Sequence, residues 1–376
     1  MKSSTVSVVM ATYNHADFVA QSIESVLNQK DVDFEFLIAD DGSVDHTRDV
    51  VAAIPDERIR FFPYRENRGA CTVTNELIQR ASGEFVAIIN SDDYWIGSDK
   101  LARQLQVMRE NPAIGACFGR VRFVDRAGVS IDKSQMPRGG VFDQENRSRG
   151  AWLRHFFDQG NCICHPTMLI RRACYDVLGL YDNRLRQLPD FDMWVRLVKR
   201  YDIHVSNREM IAFRQLPGEN ASSATCVNLR RLMNEFYFVL QKFFDEIPRD
   251  VFLDGFGNLL TAPDPPDKAH IDIEQALLYL GKNRWASHLY NLIGLERMHF
   301  LLGSEPHRRI LIDRYGIDDR AFHSLSAETG VFDLEDPAAK LSVIDGISLV
   351  AEVKRRVLLR IPTVFRPILN CILKRF

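Results

Sequence analysis

Asp92 and Asp93 are adjacent carboxylates that follow the apolar run Phe85-Val86-Ala87-Ile88-Ile89, with Asn90 and Ser91 between. Two neighbouring aspartates repel each other, so the site needs a compensating positive charge. A hard divalent cation, Mn2+ or Mg2+, would supply it, and such cations commonly hold substrate phosphates as well. The plainer reading is a solvated turn, because Ser-Asp-Asp is good turn chemistry. A second carboxylate pair, Asp40-Asp41, ends the apolar run Phe34-Glu35-Phe36-Leu37-Ile38-Ala39 and leads into Gly42-Ser43. A further candidate, Asp190, opens a segment in which Met193, Trp194, Leu197 and Val198 form one helical face. An aspartate there serves as a helix cap, and the helix N-terminus favours its ionised form.

The elements that position these groups follow from the hydrophobic pattern. Phe85 to Ile89 is short, uninterrupted and rich in branched residues, the signature of a strand buried on both faces. Val6–Met10, Phe34–Ala39 and Arg58–Phe62 read as further strands. Between them lie helical patterns at 16–28, from Asp45 through Ile54, and through Val73, Leu77 and Ile78. Strand–helix alternation implies a parallel sheet covered on both faces, and ligands bind at the carboxyl ends of such strands. A helix after Ser98 and a strand over Ile114–Val124 continue the domain, and 131–150 reads as an irregular loop on the acceptor side.

In order, Thr12-Tyr13-Asn14, Asp40-Asp41-Gly42-Ser43, Asn67-Arg68-Gly69 and Ser91-Asp92-Asp93 resemble the motifs of family-2 inverting glycosyltransferases. The resemblance runs from about Val6 to about Ser223. It implies a GT-A fold, an α/β doubly wound, mostly parallel, Rossmann-like sheet, followed here by a helical C-terminal region. It implies a nucleotide-sugar donor, UDP- or dTDP-linked, held by Thr12, Tyr13, Asp41, Arg68, Asn90 and Asp92. Asp41 would accept from the base, and Arg68 would approach the base or phosphates. The metal role rests on Asp92 and Asp93, because Asn90 stands where the family often has an aspartate. Asp190 matches the catalytic base, although Pro189 occupies the place of the usual Glu. Arg214 and Asn220 resemble a segment that closes over the donor diphosphate. His165 reads as a structural hydrogen-bonder, with a phosphate- or acceptor-facing role as the alternative. The acceptor implied is a glycan or lipid-linked glycan hydroxyl, in cell-surface polysaccharide synthesis.

Composition narrows the rest. The chain has 376 residues, 46% hydrophobic and 26% charged, with a net charge of -2, which gives no hint of nucleic-acid binding. Seven cysteines form no regular framework and read as reduced thiols of a cytosolic protein. The N-terminus shows no signal-peptide pattern, and no apolar stretch is long enough to span a membrane. Residues 1–224 read as the catalytic domain and 225–376 as a helical appendage. Its end, 346–376, carries seven basic residues against Glu352, with Val350, Val353, Val357 and Ile361 at helical spacing. It reads either as a docked C-terminal helix or as a basic amphipathic helix on an anionic membrane surface. Two rival classes remain. A nucleotidyltransferase would carry a Gly-rich basic loop where this chain has Ala11-Thr12-Tyr13-Asn14-His15. A non-catalytic scaffold would have no reason to retain Asp41, Asp92, Asp93 and Asp190 together.

Overall fold

The computed structural model describes residues 5–136, 138–220, 223, 225–281 and 286–331. The chain divides into two compact units, Met1–Ala224 and Thr225–Phe376.

The first unit holds strands β1 (Val6–Thr12), β2 (Phe34–Asp40), β3 (Ile59–Pro63), β4 (Phe85–Ile88), β5 (Tyr94–Trp95), β6 (Ile114–Val124), β7 (Leu169–Arg171) and β8 (Asp202–Arg214). They form one sheet in the order β3-β2-β1-β4-β7-β6-β8-β5. β3, β2, β1 and β4 are mutually parallel, and β7 joins β4 and β6 in antiparallel fashion. Parallel strands need both faces covered. Val6, Val8, Val9 and Met10 of β1 and Phe85 to Ile88 of β4 are accordingly buried. The cover comes from α1 (Val19–Leu27), α2 (Thr47–Ala52), α3 (Ala70–Arg80), α4 (Lys100–Glu110), α5 (Arg149–Gln159), α6 (Ala173–Leu178) and α7 (Pro189–Val198). In α1 the apolar side chains Val19, Ile23 and Val26 recur at helical spacing and join Val8, Met10 and Phe36 in the core.

The expected strands are present, each within two residues of the pattern-based bounds. The first helix begins at Val19 rather than Ala16, because Ala16–Phe18 form a turn whose amides are used elsewhere. The 131–150 stretch holds only the short 3-10 turn Lys133–Gln135 and the start of α5.

The second unit is helical: α8 (Cys226–Gln241), α9 (Arg249–Phe256), α10 (Lys268–Tyr279), α11 (Ser287–Leu302), α12 (Glu305–Tyr315) and α13 (Asp319–Glu328). Ile273, Ala276, Met298, Leu301, Leu302 and Leu311 form a core cluster within it. Glu274 is buried there but fully used, accepting from Thr261 N at 2.9 Å, Ala262 N at 2.6 Å and the Tyr315 hydroxyl at 2.8 Å. The basic segment 346–376 lies outside the described residues. No helix among the described residues is long and apolar enough to cross a membrane.

Candidate active site

The site lies at the carboxyl ends of β1, β2 and β4, where three loops lock together. Asn14, in the left-handed region at φ 54°, accepts at Oδ1 from Val44 N at 2.9 Å and donates its own N–H to Ser43 Oγ at 2.9 Å. His15 N donates to Thr47 Oγ1, and Ala16 N to Asp45 Oδ2. His15 Nδ1 lies 2.7 Å from Ser91 Oγ, tying in the third loop. Gly42 permits the packing: its φ is +76°, and a Cβ there would sit 2.6 Å from the Glu66 carbonyl carbon.

Thr12 and Asp40 are register partners at the ends of β1 and β2. Both are buried, and Thr12 Oγ1 and Asp40 Oδ1 have no hydrogen-bond partner. Asp40 Oδ2 accepts from Ser43 N and Arg48 Nη2, each at 3.2 Å. Buried polar atoms in native folds are normally partnered, so these two enclosed oxygens at the strand ends are exceptions. The carboxylate expected to meet the base is the next residue, Asp41.

Asp41 also supports the chain. Its Oδ1 accepts from Arg68 N at 2.7 Å and its Oδ2 from Gly69 N at 2.9 Å, closing the N-terminal end of α3. Burial raises its carboxyl above the ordinary range despite those bonds. Arg68 departs from expectation. Its guanidinium pairs with Glu76, Nη1 to Oε2 at 3.0 Å, and lies over the Tyr64 ring at 4.8 Å. A carboxylate on the same side of α3 has captured the charge expected to meet donor phosphates. Tyr13 is 41% exposed at the mouth of the site.

Asp92 and Asp93 are not presented as a pair. Asp93 is buried, its Oδ1 accepting from Arg214 N at 2.8 Å and its Oδ2 from Asn90 Nδ2 at 3.0 Å. Burial, then the charge of Asp92, pushes the Asp93 carboxyl well above the usual carboxylate range. Asp92 is half-buried, and its Oδ2 accepts from Asn220 Nδ2 at 3.0 Å. The Asn90 amide expected on the donor is therefore committed to Asp93. Arg214, expected near the donor diphosphate, is bonded within the protein. It is buried, donating from Nε to Asp92 O at 2.8 Å, from Nη1 to Asp125 O at 3.3 Å and from Nη2 to Gln21 Oε1 at 2.6 Å. It staples the Asp92 loop to the end of β6.

Among the described residues, no group of three or more His, Cys, Asp or Glu side chains could hold a metal ion alone. That still fits a cation of the Mg2+ type, which takes one or two carboxylates and leaves its other positions to substrate phosphates and water. Asp92 is the carboxylate placed for it.

Asp190 occupies the first turn of α7, behind Pro189. Its Oδ1 accepts from Phe191 N at 2.8 Å and its Oδ2 from Asn161 Nδ2 at 2.8 Å. Asp192 pairs with Arg196 on the same helix, Nη2 to Oδ2 at 2.7 Å, and is structural. The thiol of Cys164 is pushed well up by burial, then by the charges of Asp93 and Asp190, so both carboxylates face one neighbourhood. His165 Nε2 lies 2.8 Å from the Tyr181 hydroxyl, and the ring packs edge-on against Trp194. Burial lowers it to about 4, which keeps it neutral. Asn75, unremarked in the sequence, anchors the approach to α7. Its Nδ2 donates to Tyr181 O and Asn183 Oδ1, both at 2.8 Å, and its Oδ1 accepts from Tyr181 N at 3.0 Å.

A parallel sheet with carboxylates gathered at its strand ends, and a further carboxylate on a helix facing them, defines a GT-A type of transferase. Comparison with known proteins agrees. Residues 7–178 match the family Glycosyl transferase family 2. The chain is 38% identical over 232 residues to the Escherichia coli UDP-Glc:alpha-D-GlcNAc-diphosphoundecaprenol beta-1,3-glucosyltransferase WfgD, covering 61% of this chain and 85% of that one. It is 26% identical over 195 residues to the Escherichia coli enzyme of the same description, WfaP, covering 52% and 70%. Its fold resembles that of S. aureus TarS 1-349, solved in complex with UDP-GlcNAc, with a TM-score of 0.53 at 17% identity over 83% of this chain and 89% of that one. The chain belongs to glycosyltransferase family 2 and is a glycosyltransferase.

Proposed function

We propose that this glycosyltransferase moves a sugar from a UDP- or dTDP-sugar to a hydroxyl of a glycan or lipid-linked glycan, with inversion and with Mn2+ or Mg2+ bound. The observation that carries the donor reading is the gathering of Thr12, Tyr13, Asp41 and Asp92 at the carboxyl ends of β1, β2 and β4, the edge where such sheets bind ligands. A carboxylate acceptor such as Asp41 suits the N–H of uracil or thymine. Tyr13, exposed at that edge, offers a ring face for the base. Asp92 would hold the cation, with Asp93, Asn90 and Arg214 fixing its loop. A cation there would supply positive charge for the leaving diphosphate.

Asp190 takes the proton of the acceptor hydroxyl as that oxygen bonds to the anomeric carbon. The bond from that carbon to the diphosphate breaks in the same displacement, and its electron pair leaves on the diphosphate. Attack opposite the leaving group inverts the centre, so no covalent intermediate forms. Lipid-linked acceptors are favoured by the names of WfgD and WfaP, which describe diphosphoundecaprenol substrates.

The test is binding and turnover. UDP is expected to bind with Mn2+ present, and a panel of UDP-glucose, UDP-galactose and UDP-N-acetylglucosamine to show slow hydrolysis without acceptor. Asp190→Asn keeps UDP binding and loses most turnover. Near-native turnover in that variant removes Asp190 as base, and pyrophosphate release from UTP would point to a nucleotidyltransferase. The segment 346–376 is proposed to attach the protein peripherally to an anionic cytosolic membrane face. Indifference of the full chain to anionic vesicles at low salt refutes this.

A further inference from the structure

We infer that Asn161 is a positioning residue for the Asp190 carboxylate, and that its amide N–H holds that carboxylate ionised and oriented for proton abstraction. This rests on the reading of Asp190 as the base.

The geometry begins at the end of α5. Gly160, at φ +74°, terminates that helix, and Asn161 is the next residue. Asn161 Oδ1 accepts from Ile163 N at 3.3 Å, so the side chain turns back on its own loop. That bond decides which end of the amide faces away. The end facing away is Nδ2, and it donates to Asp190 Oδ2 at 2.8 Å, across 29 residues of sequence. The other carboxylate oxygen, Oδ1, accepts from Phe191 N at 2.8 Å. One donor comes from the start of α7 and the other from the loop after α5. Together they fix the plane of the carboxylate between two elements. A carboxylate has about four acceptor sites, so these two bonds do not by themselves bar it from a proton.

A purely structural explanation exists for half of this. The loop after Gly160 needs an acceptor for Ile163 N, and an aspartate would supply it equally well. The turn makes no use of Nδ2. Only a neighbouring acceptor such as Asp190 does, and a donor on a carboxylate favours its charged form. Nδ2 is thus a donor to Oδ2 from outside α7, and misplacement of a base is costly in rate.

The two functions of the side chain separate by substitution. Asn161→Asp keeps the acceptor for Ile163 N, removes the donor and sets a like charge beside Asp190. Asn161→Ala removes both. The assay is the pH profile of kcat/KM, with Mn2+, using whichever of the three UDP-sugars above turns over fastest. Asn161→Ala is expected to move the acid-side half-activity point upward by about one pH unit, the scale set by one hydrogen bond to a charged group. Asn161→Asp is expected to move it at least as far, with UDP affinity within about twofold of the parent in both. If Asn161→Ala fails to fold, the near-isosteric Asn161→Asp decides alone. Profiles that keep the parent's acid limb overturn the inference while leaving Asp190 as base. Full turnover in Asp190→Asn overturns the base reading itself, and the two failures are thereby distinct.

Discussion

Asn75→Ala should destabilise the first unit far more than an average substitution, and the size follows from its three bonds. Asn75 and Tyr181 are 6% and 4% exposed, so water cannot replace what is lost there. The change leaves Tyr181 N without its acceptor and Tyr181 O without its donor. A buried polar group left unpaired costs ~1–3 kcal/mol, which for two gives about 4 kcal/mol. Asn183 adds little, because it is exposed and its Oδ1 finds water. Asn75→Asp should be no better: it keeps the acceptor for Tyr181 N but points an oxygen at Tyr181 O and buries a charge. Urea unfolding followed by tryptophan fluorescence reads mainly this unit, since Trp95, Trp152 and Trp194, three of the chain's four tryptophans, are buried within it. With a slope of ~2 kcal/mol/M, the midpoint should fall by about 2 M. The loop that Asn75 holds leads into α7, so turnover should fall with UDP affinity retained. A midpoint within 0.3 M of the parent, roughly 0.6 kcal/mol on that slope, would mean that the clamp carries none of the assigned stability.

Asp92→Ala and Asp93→Ala should separate metal binding from structure. Asp92→Ala is expected to keep its unfolding midpoint and lose Mn2+-dependent UDP binding by calorimetry. Asp93→Ala is expected to lose ~2–4 kcal/mol by unpairing Arg214 N and Asn90 Nδ2; equal stability in the two variants contradicts the division. His165 supplies a pH dependence. Burial lowers its folded value to about 4, below the ordinary imidazole value of 6.5, so the unfolded chain binds the extra proton in that window. Stability from this group is present above pH 6.5 and is lost as pH falls toward 4, by ~3 kcal/mol in full. His165→Gln, which can still bond Tyr181, should remove that part of the acid sensitivity. Parallel stability–pH curves for parent and variant would show that His165 does not titrate as described.

Much of this architecture is legible without coordinates. Val6 to Met10, Phe34 to Ala39 and Phe85 to Ile89 are strands because unbroken apolar runs of that length fit a sheet covered on both faces. Their order with the intervening helices fixes the parallel half of the sheet, and with it the edge where the carboxylates collect. Asp92 and Asp190 could be singled out because each stands where an apolar element ends. The antiparallel β7 was less visible, since Leu169–Arg171 has only three residues and little periodicity. The family resemblance supplied roles that the local pattern could not.

What the sequence conceals is which lone pairs are already taken. Asp40 and Asp41 are chemically identical neighbours, yet Asp41 is occupied by the amides of Arg68 and Gly69 while Asp40 keeps an oxygen without a partner. Asp92 and Asp93 divide in the same way, one half-buried and one locked between Arg214 and Asn90. In each pair the two side chains meet different partners, which come from 3 to 128 residues away. Asp93 is the more enclosed of the second pair. Arg214 follows the same logic, because a guanidinium that looks free for phosphates has been spent on carbonyls of the loops it joins. Charge at a strand end is a sound pointer to the site, but the assignment within it depends on hydrogen bonds that only the folded chain brings together.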